Sequence, residues 1–337
     1  MPEGAVEAAP QGGPLGRRYV STGSLPDGRR VDVLVRQAHG HFREVSDGAL
    51  SGTYPVLADA DPRHFGIALT GTDGVIHEVG DSRVAFTLMS VSKPFVFALA
   101  CEAVGTAQVR RLVGVNATGL PFNSAQAVER ARDGRTNPMV NPGAIATTSL
   151  VPGSSREDRW DRLVRGLSRF AGRPLELDHD TLASARATNF RNRALAMLLQ
   201  EAGALSGDPL DAVDLYTLQC CLAVTAADLA TMGATLADGG VNPVTGERVV
   251  SAAVARATLA VMSVAGMYEA SGDWLLDVGV PGKSGISGGV VAVSPGKGAL
   301  GVFSPLLDAD GNSVRGQLAA RYLAHELGLD LLGSEPT

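Results

Sequence analysis

The chain has 337 residues, 45% of them apolar, with 29 Lys plus Arg against 35 Asp plus Glu for a formal charge of −6. No apolar run approaches the roughly eighteen residues of a spanning helix, and no basic block offers a phosphate-binding surface, so neither a membrane nor a nucleic acid is an expected partner. The cysteines are Cys101, Cys220 and Cys221, an odd set with two adjacent members, which argues against a disulfide framework and for a reducing, cytoplasmic location.

The opening stretch "MPEGAVEAAPQGGPLGRRYVST" lacks the basic-then-apolar order of a secretory signal. Its Gly, Pro and Ala content, with few large apolar residues, predicts a disordered extension over 1–25 and a folded part from about 26. Between 65 and 88, "FGIALTGTDGVIHEVGDSRVAFTL" alternates apolar and polar residues around a Thr-Asp-Gly turn signal, a β-hairpin pattern. From about 90 to 245 the chain turns helical. "RNRALAMLLQEAG" and "TAADLATMGATLADGG" carry apolar residues at helical spacing, the second opening on Thr225 and Asp228 at capping-box spacing and ending at Gly239 and Gly240. The segment 276–305 returns to β-branched residues broken by glycine turns, predicting two or three antiparallel strands, and "VRGQLAARYLAHELG" predicts a last amphipathic helix. Strands at both ends of the chain predict an α+β domain. Its α/β part spans about 26–90 and 246–337 around one shared antiparallel sheet, with a helical subdomain inserted over about 91–245.

Two motifs carry possible chemistry. In "FTLMSVSKPF", a helix beginning at Ser90 puts Pro94 in its first turn and projects Ser90 and Lys93 from one face. The helix N-terminus favours a developing alkoxide on the serine, and a desolvated lysine can lose its proton and act as base. In "DVGVPGKSGISGG", Gly282, Lys283 and Ser284 imitate the end of a phosphate loop, but Asp277 stands where that loop needs glycine and strand-like residues follow. Read instead as Lys-Ser-Gly on a strand, the segment matches the element of penicillin-recognising serine acylases that turns a cation and a hydroxyl toward substrate, so Lys283 and Ser284 become candidates for that position. The histidines His39, His41, His64, His77, His179 and His325 make no metal spacing, and His39 and His41 are expected at the surface. None is placed for a Ser-His-Asp triad, which leaves lysine or tyrosine as the proton acceptor.

The blocks "MSVSKPF", "NPMVNPGAIATTSL", "RNRALAMLL", "DLYTLQCCLAVTAADLA", "AGMYEASGDW" and "VGVPGKSGISGGVVAVSPGKGALGVFSPLLDADGNSVRG" stand in the order and at the spacings of the serine-dependent glutaminases, which the chain resembles over roughly 31–330. The resemblance implies a β-lactamase-like fold and hydrolysis of L-glutamine, or a related amide, through a serine acyl-enzyme with neither metal nor organic cofactor. It implies Ser90 as nucleophile, Lys93 as its base and Tyr268 as a proton-shuttling phenol that also meets substrate. Asn141, Asn192 and Tyr216 match substrate-binding positions, and the backbone N–H of Ile286 would join that of Ser90 in holding the oxyanion. A homodimer or homotetramer is the family's usual assembly.

The chain also departs from the family. Seven residues before Asn192, where the family usually binds the α-amino group of glutamine with a glutamate, stands Ala185. Loss of that charge-assisted hydrogen bond costs about 1.5–3 kcal/mol, a fall of at least about tenfold in glutamine affinity. Met89 replaces a glutamine before the nucleophile, and Pro142 an alanine after Asn141. Recognition of the amino-acid end is then rebuilt either through Asp178 or Asp180 or for a substrate without that amine. Two alternatives accompany the glutaminase reading: a same-fold serine acylase acting on another amide or a lactam, and a non-catalytic binding descendant.

Overall fold

The computed structural model describes residues 23–333, so the extension expected over 1–25 lies, but for its last residues, outside the described residues. Eight strands follow in chain order: Gly66–Gly71 (β1), Ile76–Gly80 (β2), Phe86–Thr87 (β3), Glu176–Leu177 (β4), Leu222–Val224 (β5), Gly282–Ser284 (β6), Gly289–Ser294 (β7) and Gly298–Phe303 (β8). The Thr-Asp-Gly signal makes the expected hairpin of β1 and β2, with Gly74 at φ +81° supplying the left-handed turn residue. β1 also pairs with β8, uniting both ends of the chain in one antiparallel sheet of order β2-β1-β8-β7-β6.

The hairpin expected over 65–88 stops at Gly80. A turn in which Val84 N–H donates to the Asp81 carbonyl carries the chain off the sheet, so that β3 pairs with β5 in a small sheet of order β3-β5-β4. The 276–305 segment yields three strands, but its first residues belong to the helix Ser271–Val278.

Period-two burial sets the layers. Ile67, Leu69, Val290, Ala292, Leu300 and Val302 join a core with Val31, Leu34 and Val35 of the helix Gly28–Phe42 and Leu323 of the helix Val314–Glu326. Ala68, Val291, Val293 and Ala299 face the opposite way, into a larger core shared with Leu229 and Met232 of the helix Ala226–Ala237. That helix bears the predicted capping box of Thr225 and Asp228. It lies so close to the sheet that a Cβ at Gly301 would stand 2.1 Å from the Ala226 carbonyl oxygen. Although it falls within the 91–245 segment, it is a layer of the sheet's own packing, and the same core continues into the central helices through Phe95, Phe170 and Leu195. The predicted helices over 191–203 and 314–328 appear as Phe190–Glu201 and Val314–Glu326. Among the described residues no helix is long and apolar enough to cross a membrane, and no group of His, Cys, Asp or Glu could hold a metal ion.

Of the two neighbouring histidines, His41 is exposed as expected. His39 differs: it stacks on Phe65 with ring centroids 5.0 Å apart, its Nε2 lying 3.2 Å from the Phe65 carbonyl oxygen.

Candidate active site

The helix that follows β3 runs Ser92–Val104 and starts two residues later than the Ser90 expectation, because Met89–Val91 forms a 3-10 turn first. Pro94 still falls in the first helical turn, where its missing N–H costs nothing. Met89 holds φ +45°, a left-handed conformation that a side-chain-bearing residue adopts at a cost of order 1–3 kcal/mol. This strained residue sets the direction of Ser90, whose side chain reaches a cleft of about 140 Å³.

Lys93, next in the helix, is enclosed at 1% exposure. Its Nζ donates to Asn141 Oδ1 at 2.7 Å, and no carboxylate pairs with it among the described residues. Burial therefore brings its pKa down to about 7, against a small opposing pull from Cys220. Asn141 opens the helix Asn141–Ser149, where Pro142 occupies a first-turn position that needs no donor; the substitution from the family's alanine is compatible with the backbone. Asn141 is held on several sides. Its Oδ1 accepts from Tyr216 Oη at 3.2 Å, its Nδ2 donates to Asn192 Oδ1 at 3.0 Å, and its backbone N–H donates to the Phe122 carbonyl at 2.8 Å. Asn192 Nδ2 donates in turn to Asn189 Oδ1 at 2.7 Å, and Asn189 Nδ2 to Thr217 Oγ1 at 2.6 Å. The chain of amides fixes each rotamer through its neighbour, so the Lys93 contact is inherited from the packing of three helices.

Tyr268 lies in a 3-10 turn of its own at φ +58°, a second strained residue at the site. Burial raises its phenol far above the usual tyrosine range, and the Ser90 hydroxyl beside it pulls the other way. Its ring packs 4.6 Å from that of Phe122, with Lys93 Nζ 5.6 Å and Lys283 Nζ 3.8 Å from its centroid. Lys283 is fully buried on β6; burial first, then the neighbouring Lys93, holds its pKa well below the ordinary value. Lys283 Nζ donates to the Ser284 carbonyl at 2.7 Å, and Ser284 Oγ donates to Asn312 Oδ1. Tyr268, Lys283 and Ser284 are all buried, and none of the three lines the cleft wall.

Ser90, Asn141, Asn192, Tyr216 and Ile286 all line the cleft. A Cβ at Gly285 would stand 3.1 Å from Val91 Cγ2 and 3.4 Å from the Ser90 nitrogen, so the end of β6 and the serine turn are in close contact. The Ile286 N–H in that segment has no backbone acceptor among the described residues. Sequence reasoning missed Tyr54, Phe122, Asn189, Arg191 and Cys220, which complete much of the wall. Asn189 and Arg191 flank residues already singled out and were within reach of the helical pattern; Tyr54 and Phe122 arrive on loops with no signal of their own.

The alternatives to the missing glutamate fare differently. Asp178 is spent as a helix cap, accepting from Thr181 N–H at 2.7 Å, and Asp180 is exposed on the helix His179–Thr188; neither lines the cleft.

A family model described as Glutaminase matches residues 48–332. The chain belongs to the glutaminase family. It is 58% identical over 318 residues to Glutaminase 2 of Yersinia pestis, covering 94% of each chain, and 45% identical over 302 residues to a Mycobacterium ulcerans (strain Agy99) glutaminase, covering 90% of this chain and 94% of that one. Among solved structures, the probable glutaminase ybaS superposes with a TM-score of 0.90 at 42% identity, covering 92% of this chain and all of the other. A probable glutaminase from Bacillus subtilis complexed with 6-diazo-5-oxo-L-norleucine gives 0.81 at 29% identity, covering 89% and 96%. The glutaminase fold seen here is β-lactamase-like, an antiparallel sheet flanked by many helices.

Proposed function

We propose that the chain hydrolyses L-glutamine to L-glutamate and ammonia through an acyl-enzyme on Ser90. The observation that carries this reading is Lys93: an amine enclosed with no counter-ion among the described residues, brought to about 7, one turn from a cleft serine. In its neutral form Lys93 accepts the Ser90 proton, directly or through the Tyr268 phenol, while the serine oxygen attacks the carboxamide carbon. The negative charge gathering on the amide oxygen is met by the N–H groups of Ser90 and Ile286. The proton returns to the leaving nitrogen as the C–N bond breaks and ammonia departs. Water then attacks the ester, giving its proton to the same base, and the carboxylic product leaves with Ser90 restored. Asn141, Asn192 and Tyr216, tied to one another, hold the rest of the substrate.

We further infer a homodimer or homotetramer, on the strength of the family, and a cytoplasmic location, on the strength of Cys101, Cys220 and Cys221 being unpaired and buried. Ammonia release from L-glutamine by wild type and by Ser90→Ala tests the function: activity in the first and its loss in the second are expected. Equal rates would refute a Ser90 acyl-enzyme.

A further inference from the structure

The cleft wall contains no carboxylate among the described residues. Two acidic groups of the surrounding helices are committed elsewhere, and Asp180 is exposed and off the cleft wall. Asp178 is a cap, and Asp214 accepts from Arg156 at 2.6 Å and from both Nε and Nη2 of Arg186 at 3.0 and 3.1 Å. On the helix His179–Thr188, position 185 shares a face with Thr188 and with the capping Asn189, both of which line the cleft, but Ala185 brings only a buried methyl there. Among the described residues the one charged side chain in the wall is Arg191, itself exposed. Its Nε donates to the Asn123 carbonyl at 2.9 Å, while its two terminal nitrogens have no protein acceptor among the described residues.

The charges around a bound amide are therefore those of a guanidinium and, when protonated, of Lys93. An ammonium entering this cleft loses water and meets no anion, whereas a carboxylate meets Arg191 in a charge-assisted and geometrically matched pair. Resting on the acyl-enzyme reading above, we propose that the preferred substrates are anionic primary amides of glutamine's length that lack a free ammonium: either the α-nitrogen is absent, as in glutaramate, or it is acylated, as in N-acetyl-L-glutamine. Arg191 takes their carboxylate, and Ser90 acts on their carboxamide by the same steps.

The test measures ammonia release from L-glutamine, glutaramate and N-acetyl-L-glutamine by wild type and by Arg191→Ala, Ala185→Glu and Thr188→Asp. At least one anionic amide is expected to exceed L-glutamine in kcat/KM by about tenfold or more, the size of one charge-assisted hydrogen bond. Which of the two does so distinguishes an absent from an acylated nitrogen. Arg191→Ala is expected to erase that advantage through KM with kcat largely kept, and Ala185→Glu or, should that chain not fold, the exposed Thr188→Asp to shift preference toward L-glutamine by about tenfold. L-Glutamine as the best wild-type substrate, or a preference indifferent to Arg191, overturns this proposal and leaves the Ser90 reading standing. No turnover of any of the three overturns both.

Discussion

Lys93 Nζ and Asn141 Oδ1 meet at 2.7 Å in an enclosure where the amine has no anionic partner among the described residues. A neutral acceptor steadies the amine in either protonation state without strongly favouring the charged one, so burial dominates and the proton is given up near neutrality. The rate should follow that proton. kcat/KM for amide hydrolysis is expected to climb with pH to a plateau above about 7, as Lys93 becomes the free base. A profile flat from pH 5 to 9 would show that this amine takes no proton in the reaction.

The same group links pH to folding. Unfolded, Lys93 titrates at its ordinary 10.5; folded, it titrates near 7, so between these values the unfolded chain holds more protons and stability rises with pH. Below about 7 both states carry the charge and the folded one bears its full burial cost. Lys93→Met is expected to be inactive, to melt higher than wild type at pH 6, and to lose part of the rise in stability from pH 7 to 9. Equal melting temperatures at pH 6 would show that the amine is better solvated than its surroundings indicate.

Asn141→Asp puts a carboxylate where the neutral acceptor stands. An adjacent negative charge favours the ammonium, so the acidic limb of the kcat/KM profile is expected to move upward by roughly one pKa unit or more. An unmoved limb would assign the titration to another group.

Helix Ala226–Ala237 was legible because its cap is local: Thr225 and Asp228 satisfy each other's backbone within four residues. Helix Gly28–Phe42 passed unnoticed, although Val31, Leu34, Val35 and Ala38 have the spacing of a buried stripe and Asp27 caps it through Arg29 and Arg30 N–H. The fate of Phe86–Thr87 was not legible, since two residues of β pattern say nothing about which sheet receives them; the Asp81–Val84 turn and Leu222–Val224, far along the chain, decide it. Ser90, Lys93 and Asn141 were visible through their motifs. The lack of acid in the cleft wall among the described residues was only partly so: Asp178 is spent on a local cap with Thr181, but the oxygens of Asp214 go to Arg156 and Arg186, contacts made across the fold.

Gly301 tests the layering of the fold. Its Cβ would stand 2.1 Å from a backbone oxygen of the helix above, with 2.5 Å to Ala230 N, so neither side can yield by a rotamer change. Gly301→Ala is expected to lower stability by about 1–3 kcal/mol, seen as a fall in denaturant midpoint with the slope unchanged. Gly285→Ala, whose closest contacts are 3.1–3.4 Å, is expected to cost little stability and to reduce kcat by shifting Ser90.

Covalent trapping addresses the nucleophile most directly: the enzyme is mixed with an electrophilic glutamine-like ketone across pH 5–9, and the modified residue is located by peptide mapping. Modification of Ser90 is expected, rising to a plateau above about 7, absent in Ser90→Ala and slowed by roughly 100-fold or more in Lys93→Ala. Label on Cys220 instead, which lines the same cleft, or Ser90 labelling at an undiminished rate without Lys93, would contradict a serine activated by a buried neutral amine.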